Sequence, residues 1–167
     1  SWPLRDSGAG PHQIDLGRQY NCSLRGPLIL DGSQWNADND LTTLPSGLVI
    51  LGGVTFDIRG VVMLRRLETT GAMWRTGQGM YPTNVSGILV NQKLRRLRVL
   101  HGTCAGLPRI PDAIKDGTVI GSYVWHYADG RQREQEIVYG RDLRDWWLRQ
   151  GEAAEPSLER GRVAWTG

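Results

Sequence analysis

The chain has 167 residues, of which 40% are hydrophobic and 22% charged, which is typical of one globular domain and excludes a disordered chain. Its 22 glycines and 8 prolines divide it into many short segments, which favours an all-β fold over a helical one. The net charge of +3 is only mildly basic and the arginines are scattered or close to acids, so we expect no nucleic-acid partner. No apolar run approaches the roughly 18 residues that span a bilayer, so we expect no membrane insertion.

The first residues differ in character from the rest of the chain. Residues 1–12 contain Trp2-Pro3, Gly8, Gly10 and Pro11 and have no hydrophobic periodicity, which predicts a flexible lead-in. Residues 13–167 are then predicted to form a single β-sandwich domain. Its two cysteines, Cys22 and Cys104, fit no metal-ligand spacing, and either a disulfide or two buried thiols agrees with the sequence.

Residues 35–40 place short oxygen-bearing side chains beside an indole. One interpretation is a Ca²⁺ loop, or a loop that contacts sugar through Trp35, because carboxylate and amide oxygens suit both ligands. The alternative is a turn in which Asp40 caps residues 41–44 before Pro45. The distal Glu of an EF-hand is missing, which favours the turn and leaves a structural Ca²⁺ ion as the only cofactor considered.

Alternating hydrophobic residues predict several strands. The clearest is residues 54–58, where Val54, Phe56 and Ile58 share one face, and the glycines on either side of it suggest bulges or bends. Further strands are expected over residues 13–17, 85–90, 94–101 and 162–166. Between them, residues 65–82 form a long connection that carries Trp74 and Tyr81. These two aromatics are either exposed for binding or close one end of a sandwich.

The stretch from residue 117 to residue 147 predicts a β-hairpin, because Asp129-Gly130 lies between two runs of β-forming residues and suits a two-residue turn. Alternation puts two sets of side chains on opposite faces of the hairpin. The incoming arm divides into Tyr123, Trp125 and Tyr127 against Ser122, Val124 and His126. The return arm divides into Arg133, Gln135, Ile137 and Tyr139 against Gln132, Glu134, Glu136 and Val138.

The aromatic residues carry the functional hypothesis. Indole and phenol rings pack against the C–H groups of sugars while nearby polar side chains bond to the hydroxyls. Trp146 and Trp147 stand beside Arg144 and Asp145, and we expect one indole of the pair buried and the other exposed. The alternative interpretation is that Trp125 and one of these two indoles are core residues.

Catalytic signatures are missing from the sequence. Four carboxylates (Asp57, Glu134, Glu136 and Asp145) could supply the pair that a glycoside hydrolase needs, but solvated surface charges are the simpler interpretation. His126 stands alone on its strand without a partner motif. We therefore expect a protein that is not an enzyme.

Four stretches of the chain resemble a poorly characterised family of bacterial β-sandwich modules found in surface, signalling and polysaccharide-related proteins. They are Asn39-Asp40-Leu41 with Leu44-Pro45-Ser46-Gly47, residues 53–60 (GVTFDIRG), Arg95-Arg96-Leu97 with Leu100-His101-Gly102, and residues 117–147. The family is similar to the galactose-binding-like jelly-roll modules attached to glycoside hydrolases. The resemblance implies an antiparallel β-sandwich, sugar binding, a secreted or cell-surface location, and further domains or a second chain completing the sheet.

The sequence thus predicts a non-catalytic carbohydrate-binding module. Seven residues are the candidate ligand-binding set: Trp35, Trp74, Tyr81, Arg144, Asp145, Trp146 and Trp147. The alternatives are a protein-interaction module of a bacterial surface or signalling protein and a small jelly-roll glycoside hydrolase.

Overall fold

The computed structural model describes residues 2–26, 40–65, 81–103, 114–146 and 158–166. These ranges are all-β, as predicted: they contain no helix, and their strands form two antiparallel pairs. The strands are β1 (Gly47–Leu51), β2 (Val54–Ile58), β3 (Val119–His126) and β4 (Gln132–Val138). The chain divides into a first unit, Ser1–Leu97 with Gly167, and a second unit, Arg98–Thr166.

The first unit contains the β1–β2 hairpin. Leu51 pairs with Val54, so Gly52 and Gly53 alone make the turn, with φ angles of +55° and +74°. A two-residue turn with positive φ at both positions matches the right-handed twist of the strands and is disfavoured for residues with a Cβ. The predicted strand over residues 54–58 is confirmed, whereas its neighbouring glycine pair is a hairpin turn and not a bend.

An ion cluster centred on Arg59 lies beside the apolar core of the first unit. The Arg59 side chain is 7% exposed and donates to Asp57 Oδ2 at 2.9 Å, to Asp15, and to the Pro3 carbonyl at 3.2 Å. Its guanidinium also lies 5.6 Å from the ring centre of Tyr20. Asp57 is 4% exposed, and its Oδ1 has no hydrogen-bond partner among the described residues. The apolar side chains buried in this unit are Cys22, Leu44, Leu51 and Ile58.

Residues 2–12 contact this cluster and its surroundings. Trp2 packs edge-on against Tyr20 with ring centres 5.8 Å apart, and Arg5 donates to the carbonyls of Gly10 at 2.8 Å and Gln13 at 2.6 Å. The flexibility of this segment in solution, and a single domain over residues 13–167, stay predictions.

The second unit contains the β3–β4 hairpin, which confirms the hairpin expected there. Tyr127 N–H donates to the Arg131 carbonyl at 2.9 Å, and Gly130 N–H donates to the Tyr127 carbonyl at 3.0 Å. The loop therefore has three residues, and only Gly130 has positive φ, at +83°. The expected two-residue turn is wrong, because Asp129 remains in the ordinary backbone region and a bulge at Gly130 restores the pairing.

Four of the strands predicted from the sequence do not form, although all lie in described ranges: residues 13–17, 85–90, 94–101 and 162–166. Residues 94–101 illustrate the cause. Alternation there distributes Arg95, Arg96 and Arg98 over both faces, so neither face is apolar enough to be buried, and Leu94 and Leu100 are exposed.

Candidate functional site

The β3–β4 pairing determines which side chains share a face. Tyr123 is the Cα partner of Gln135 and Trp125 that of Arg133. Residues directly opposite each other on antiparallel strands project to the same side, so the predicted division of side chains between the two faces is confirmed. Tyr123 and Trp125 are half-buried, whereas Ser122, Val124 and His126 on the other face are exposed. Trp125 therefore does not match the alternative interpretation in which it is a core residue.

Three rings follow one another along the half-buried face, and we call His101, Tyr123 and Trp125 the aromatic row. The centres of the Tyr123 and Trp125 rings are 6.2 Å apart with their planes at 40°. His101 stacks on Tyr123 with ring centres 6.3 Å apart and planes at 29°. Tyr123 is thus the member of the row that neighbours both of the other rings.

A hydrogen bond fixes one end of the aromatic row, with 3.0 Å between the Tyr123 hydroxyl and His101 Nδ1. Desolvation lowers the pKa of His101, because the ring packs against Tyr123 although the residue as a whole is exposed, and Asp142 acts in the opposite sense. Desolvation, and secondarily the charge of Asp142, raises the pKa of Tyr123 to about 12. The lowered pKa of His101 favours its neutral imidazole and the raised pKa of Tyr123 keeps its phenol protonated, and the tautomer of His101 determines which of the two groups donates.

Asp142 is the ionic centre of the second unit. Its carboxylate accepts from Val138 N–H at 2.7 Å, from Arg160 Nε at 2.6 Å and from an Arg141 terminal nitrogen at 3.1 Å. Desolvation acts to raise the pKa of this carboxyl, but the hydrogen bonds from Arg160, Val138 and Arg141 outweigh it and hold the pKa well below its ordinary value. Asp142 therefore remains charged over the whole physiological range and orders the chain after β4.

Three of the seven candidate residues, Arg144, Asp145 and Trp146, lie on one segment of the second unit. Arg144 forms a two-point ion pair with Asp116, and its guanidinium lies 5.3 Å from the ring centre of Tyr139. Gly140, with φ at +82°, leaves room for this pair, because a Cβ there would lie 2.7 Å from Asp116 Cγ. The contacts of Arg144 identify it as a residue that holds the segment in place.

Backbone hydrogen bonds connect the segment of Trp146 to the segment that contains His101 of the aromatic row. Its N–H donates to the Thr103 carbonyl at 2.9 Å, and Asp145 pairs with Thr103 in an isolated parallel bridge. A Cβ on Gly102 would lie 3.4 Å from Trp146 Cβ. Trp146 is half-buried, so its segment runs beside residues 101–103, the first of which is the His101 of the row.

Tyr81 belongs to the first unit. Its hydroxyl lies 3.5 Å from Cys22 Sγ, and Cys22 is a buried free thiol. Desolvation, followed by the hydrogen bond to Cys22, raises the pKa of Tyr81 to about 12. The other candidates, Trp35, Trp74 and Trp147, lie outside the described residues, as does Cys104.

The proposed Ca²⁺ loop is described only at its last residue. Asp40 Oδ1 accepts from Thr42 N–H at 2.9 Å, and Leu44 N–H donates to the Leu41 carbonyl at 3.0 Å. This is the capped turn that the sequence favoured, and it commits one Asp40 oxygen to the backbone. Within the described ranges, no group of three or more His, Cys, Asp or Glu side chains is arranged to hold a metal ion.

Sequence reasoning did not include the aromatic row among the candidate residues. The signal was present for two of its members, because the alternation on β3 already placed Tyr123 and Trp125 together. The third member carried no local signal, since His101 precedes Tyr123 by 22 residues. Tyr127 follows the same alternation, but Arg131 lies over its ring, 5.7 Å from the ring centre.

Comparison with known proteins provides no further assignment. No protein-family model, no curated protein and no solved structure matches the chain. The described part of the chain also contains no helix with the length and hydropathy needed to cross a lipid bilayer.

Proposed function

We propose that the chain is a non-catalytic carbohydrate-binding module, a β-sandwich of the jelly-roll, galactose-binding-like type, which holds a polysaccharide against the aromatic row. The observation that supports this is the placement of Tyr123 and Trp125, 6.2 Å apart on one face, with Gln135 and Arg133 directly across the hairpin. Rings supply the apolar contact for sugar C–H groups, and the amide and guanidinium supply hydrogen bonds for hydroxyls.

The angle between the rings favours one kind of polysaccharide over another. Planes at 40° cannot both lie flat on a crystalline surface. They suit a single chain whose successive sugar rings are rotated relative to each other. We therefore propose that the ligands are soluble polysaccharide chains and that the protein is secreted or located at the cell surface.

The test is affinity electrophoresis of the purified protein in gels containing different soluble polysaccharides, followed by calorimetry for those that retard it. Trp125→Ala should weaken binding by about tenfold or more, because an aromatic contact contributes about 1–2 kcal/mol. Val124→Ala is the matched control, since Val124 is the adjacent residue, 51% exposed on the other face. It should bind as the wild type does.

Trp125→Tyr separates the contact from the fold, because it keeps an aromatic ring at the position. It should retain most of the affinity and the wild-type circular dichroism. A folded wild-type protein that no polysaccharide retards would contradict the proposal, as would equal affinities of Trp125→Ala and Val124→Ala. Trp146→Ala belongs in the same series, because Trp146 packs beside residue 102.

One observation favours a protein-interaction module as the second candidate. In the first unit, Ile88, Leu89 and Leu94 are exposed beside the cations Lys93, Arg95 and Arg96, none of which pairs with a described acid. Exposed aliphatic groups with unneutralised positive charge fit an acidic protein partner. Replacing Leu89 and Leu94 by Ser should leave polysaccharide binding intact while it removes any such association.

A further inference from the structure

The two faces of strand β4 carry side chains of opposite charge. On β4, Arg133 and Gln135 lie on the face of the aromatic row, whereas Glu134 and Glu136 are the partners of Val124 and Ser122 on the other face. The aromatic row therefore has a guanidinium on its own side of the two strands, and the strand carboxylates are all on the far side. The face of the aromatic row can therefore select a ligand by its charge as well as by its shape.

Arg133 differs from the other arginines around the hairpin. Arg131 pairs with Asp129, Arg144 with Asp116, and both Arg141 and Arg160 with Asp142. Arg133 is exposed and forms no ion pair with a described residue, and it is the direct cross-strand partner of Trp125. The unpaired guanidinium therefore belongs to the residue directly opposite Trp125, the indole that we propose packs against a sugar ring.

We propose that the ligand of this site is an anionic polysaccharide with carboxylates on its sugar rings, an inference that rests on the proposed carbohydrate-binding function. Trp125 packs against one sugar ring while Arg133 binds the carboxylate of that ring or of its neighbour. The planar guanidinium matches a carboxylate with two parallel hydrogen bonds, which a hydroxyl cannot accept in the same way. A neutral polysaccharide would leave the charge of Arg133 uncompensated, so uronate-rich chains bind more tightly.

The experiment compares pairs of polysaccharides that differ only in charge. Calorimetric titrations use polygalacturonate and alginate, each beside its fully methyl-esterified form. The wild type should bind the acidic member of at least one pair about tenfold more tightly, because charge-assisted hydrogen bonds are the stronger class. This preference should decrease as salt is raised.

Arg133→Gln tests the residue, since the amide keeps hydrogen-bonding capacity and removes the charge. The variant should lose the preference for the acidic chain while its affinity for the ester is unchanged. Arg131→Gln is the control, because Arg131 is also exposed but is already paired with Asp129. It should keep the preference.

The outcomes separate the two proposals. A wild type that binds acidic and esterified chains equally, or an Arg133→Gln variant that weakens both or neither, overturns the anionic specificity and leaves carbohydrate binding standing. Equal effects of Arg131→Gln and Arg133→Gln also overturn it, since they would reflect net charge alone. A folded wild type that binds neither member of either pair, nor any neutral polysaccharide, contradicts both proposals together.

Discussion

The hydroxyl of Tyr123 and Nδ1 of His101, 3.0 Å apart, join strand β3 to the segment that precedes it by about twenty residues. Within one unit this bond connects the hairpin to residues 101–103, which in turn pair with Asp145 and Trp146. The aromatic row and the segment of Trp146 are thereby held as one structure. A substitution in the aromatic row should therefore affect the segment of Trp146, and a substitution in that segment should affect the row.

Tyr123→Phe should lower the free energy of unfolding by about 0.5–1 kcal/mol, since it removes the exposed hydrogen bond to His101. The pKa of Tyr123 is raised from 10.0 to about 12, so folding favours the protonated phenol. That contribution is complete below pH 10 and is lost as the pH rises from 10 toward 12. The phenolate absorbance of the variant should lack one late-titrating group, whereas an unchanged titration curve would contradict the assignment. Tyr127→Phe, at a residue 47% exposed, should leave stability unchanged.

Asp142→Asn should destabilise the second unit by about 2–3 kcal/mol at neutral pH, because charge-assisted hydrogen bonds from three partners are weakened at a side chain 11% exposed. The folded pKa lies below the ordinary 3.8, so the stabilisation is fully present above pH 3.8 and is lost as the pH falls further. Urea unfolding of wild type and variant should therefore converge in acid. Asp129→Asn is the control, and its effect should stay within about 0.5 kcal/mol because both partners of its ion pair are exposed.

Gly130→Ala should cost about 1–2 kcal/mol, because φ at this position is +83° and a Cβ is disfavoured there even though nothing lies within 4 Å of it. Gly121→Ala provides the comparison on the same hairpin. A Cβ there meets only Ile137 Cδ1 at 3.9 Å, an ordinary contact, and the backbone is not left-handed. Equal urea midpoints for the two variants would mean that the bulged turn is not formed.

Arg59→Met should destabilise the first unit by about 3–5 kcal/mol, because it leaves the 4%-exposed carboxylate of Asp57 without its partner. Arg59→Lys should lose less, since it keeps the charge but cannot reach Asp57, Asp15 and the Pro3 carbonyl together. Chemical unfolding measured by tryptophan fluorescence distinguishes the three proteins. Wild-type stability in Arg59→Met would show that the ion cluster contributes nothing to the unit.

Local patterns in the sequence were sufficient for some elements of this fold. Strand β2 alternates, and the Asp-Gly pair between two β-forming runs identified β3 and β4 with their faces. Strand β1, a continuous apolar run (GLVIL), carries no alternation and was missed, although Gly52-Gly53 after it is a hairpin signal. Residues 94–101 were predicted as a strand although Arg95, Arg96 and Arg98 leave neither face apolar, and local pattern contains no information about a partner strand.

The candidate site shows the same limit. Arg144, Asp145 and Trp146 are adjacent in sequence, yet the guanidinium of Arg144 is committed to Asp116, 28 residues earlier. Conversely, the contact between His101 and Tyr123 joins residues that no short motif connects. Aromatic content led to the hypothesis of carbohydrate binding, whereas the aromatic row itself depends on contacts between residues distant in sequence.

The Cys22 thiol is 8% exposed and contacts the Tyr81 hydroxyl, so its reactivity can report local unfolding of the first unit. An alkylating reagent can reach such a sulfur only when the surrounding packing opens, so in a Cys104→Ser background the labelling rate reports the free energy of that opening. The labelling rate thus measures local unfolding of the first unit, and the effect of Arg59 substitutions on this unfolding can be followed without denaturant.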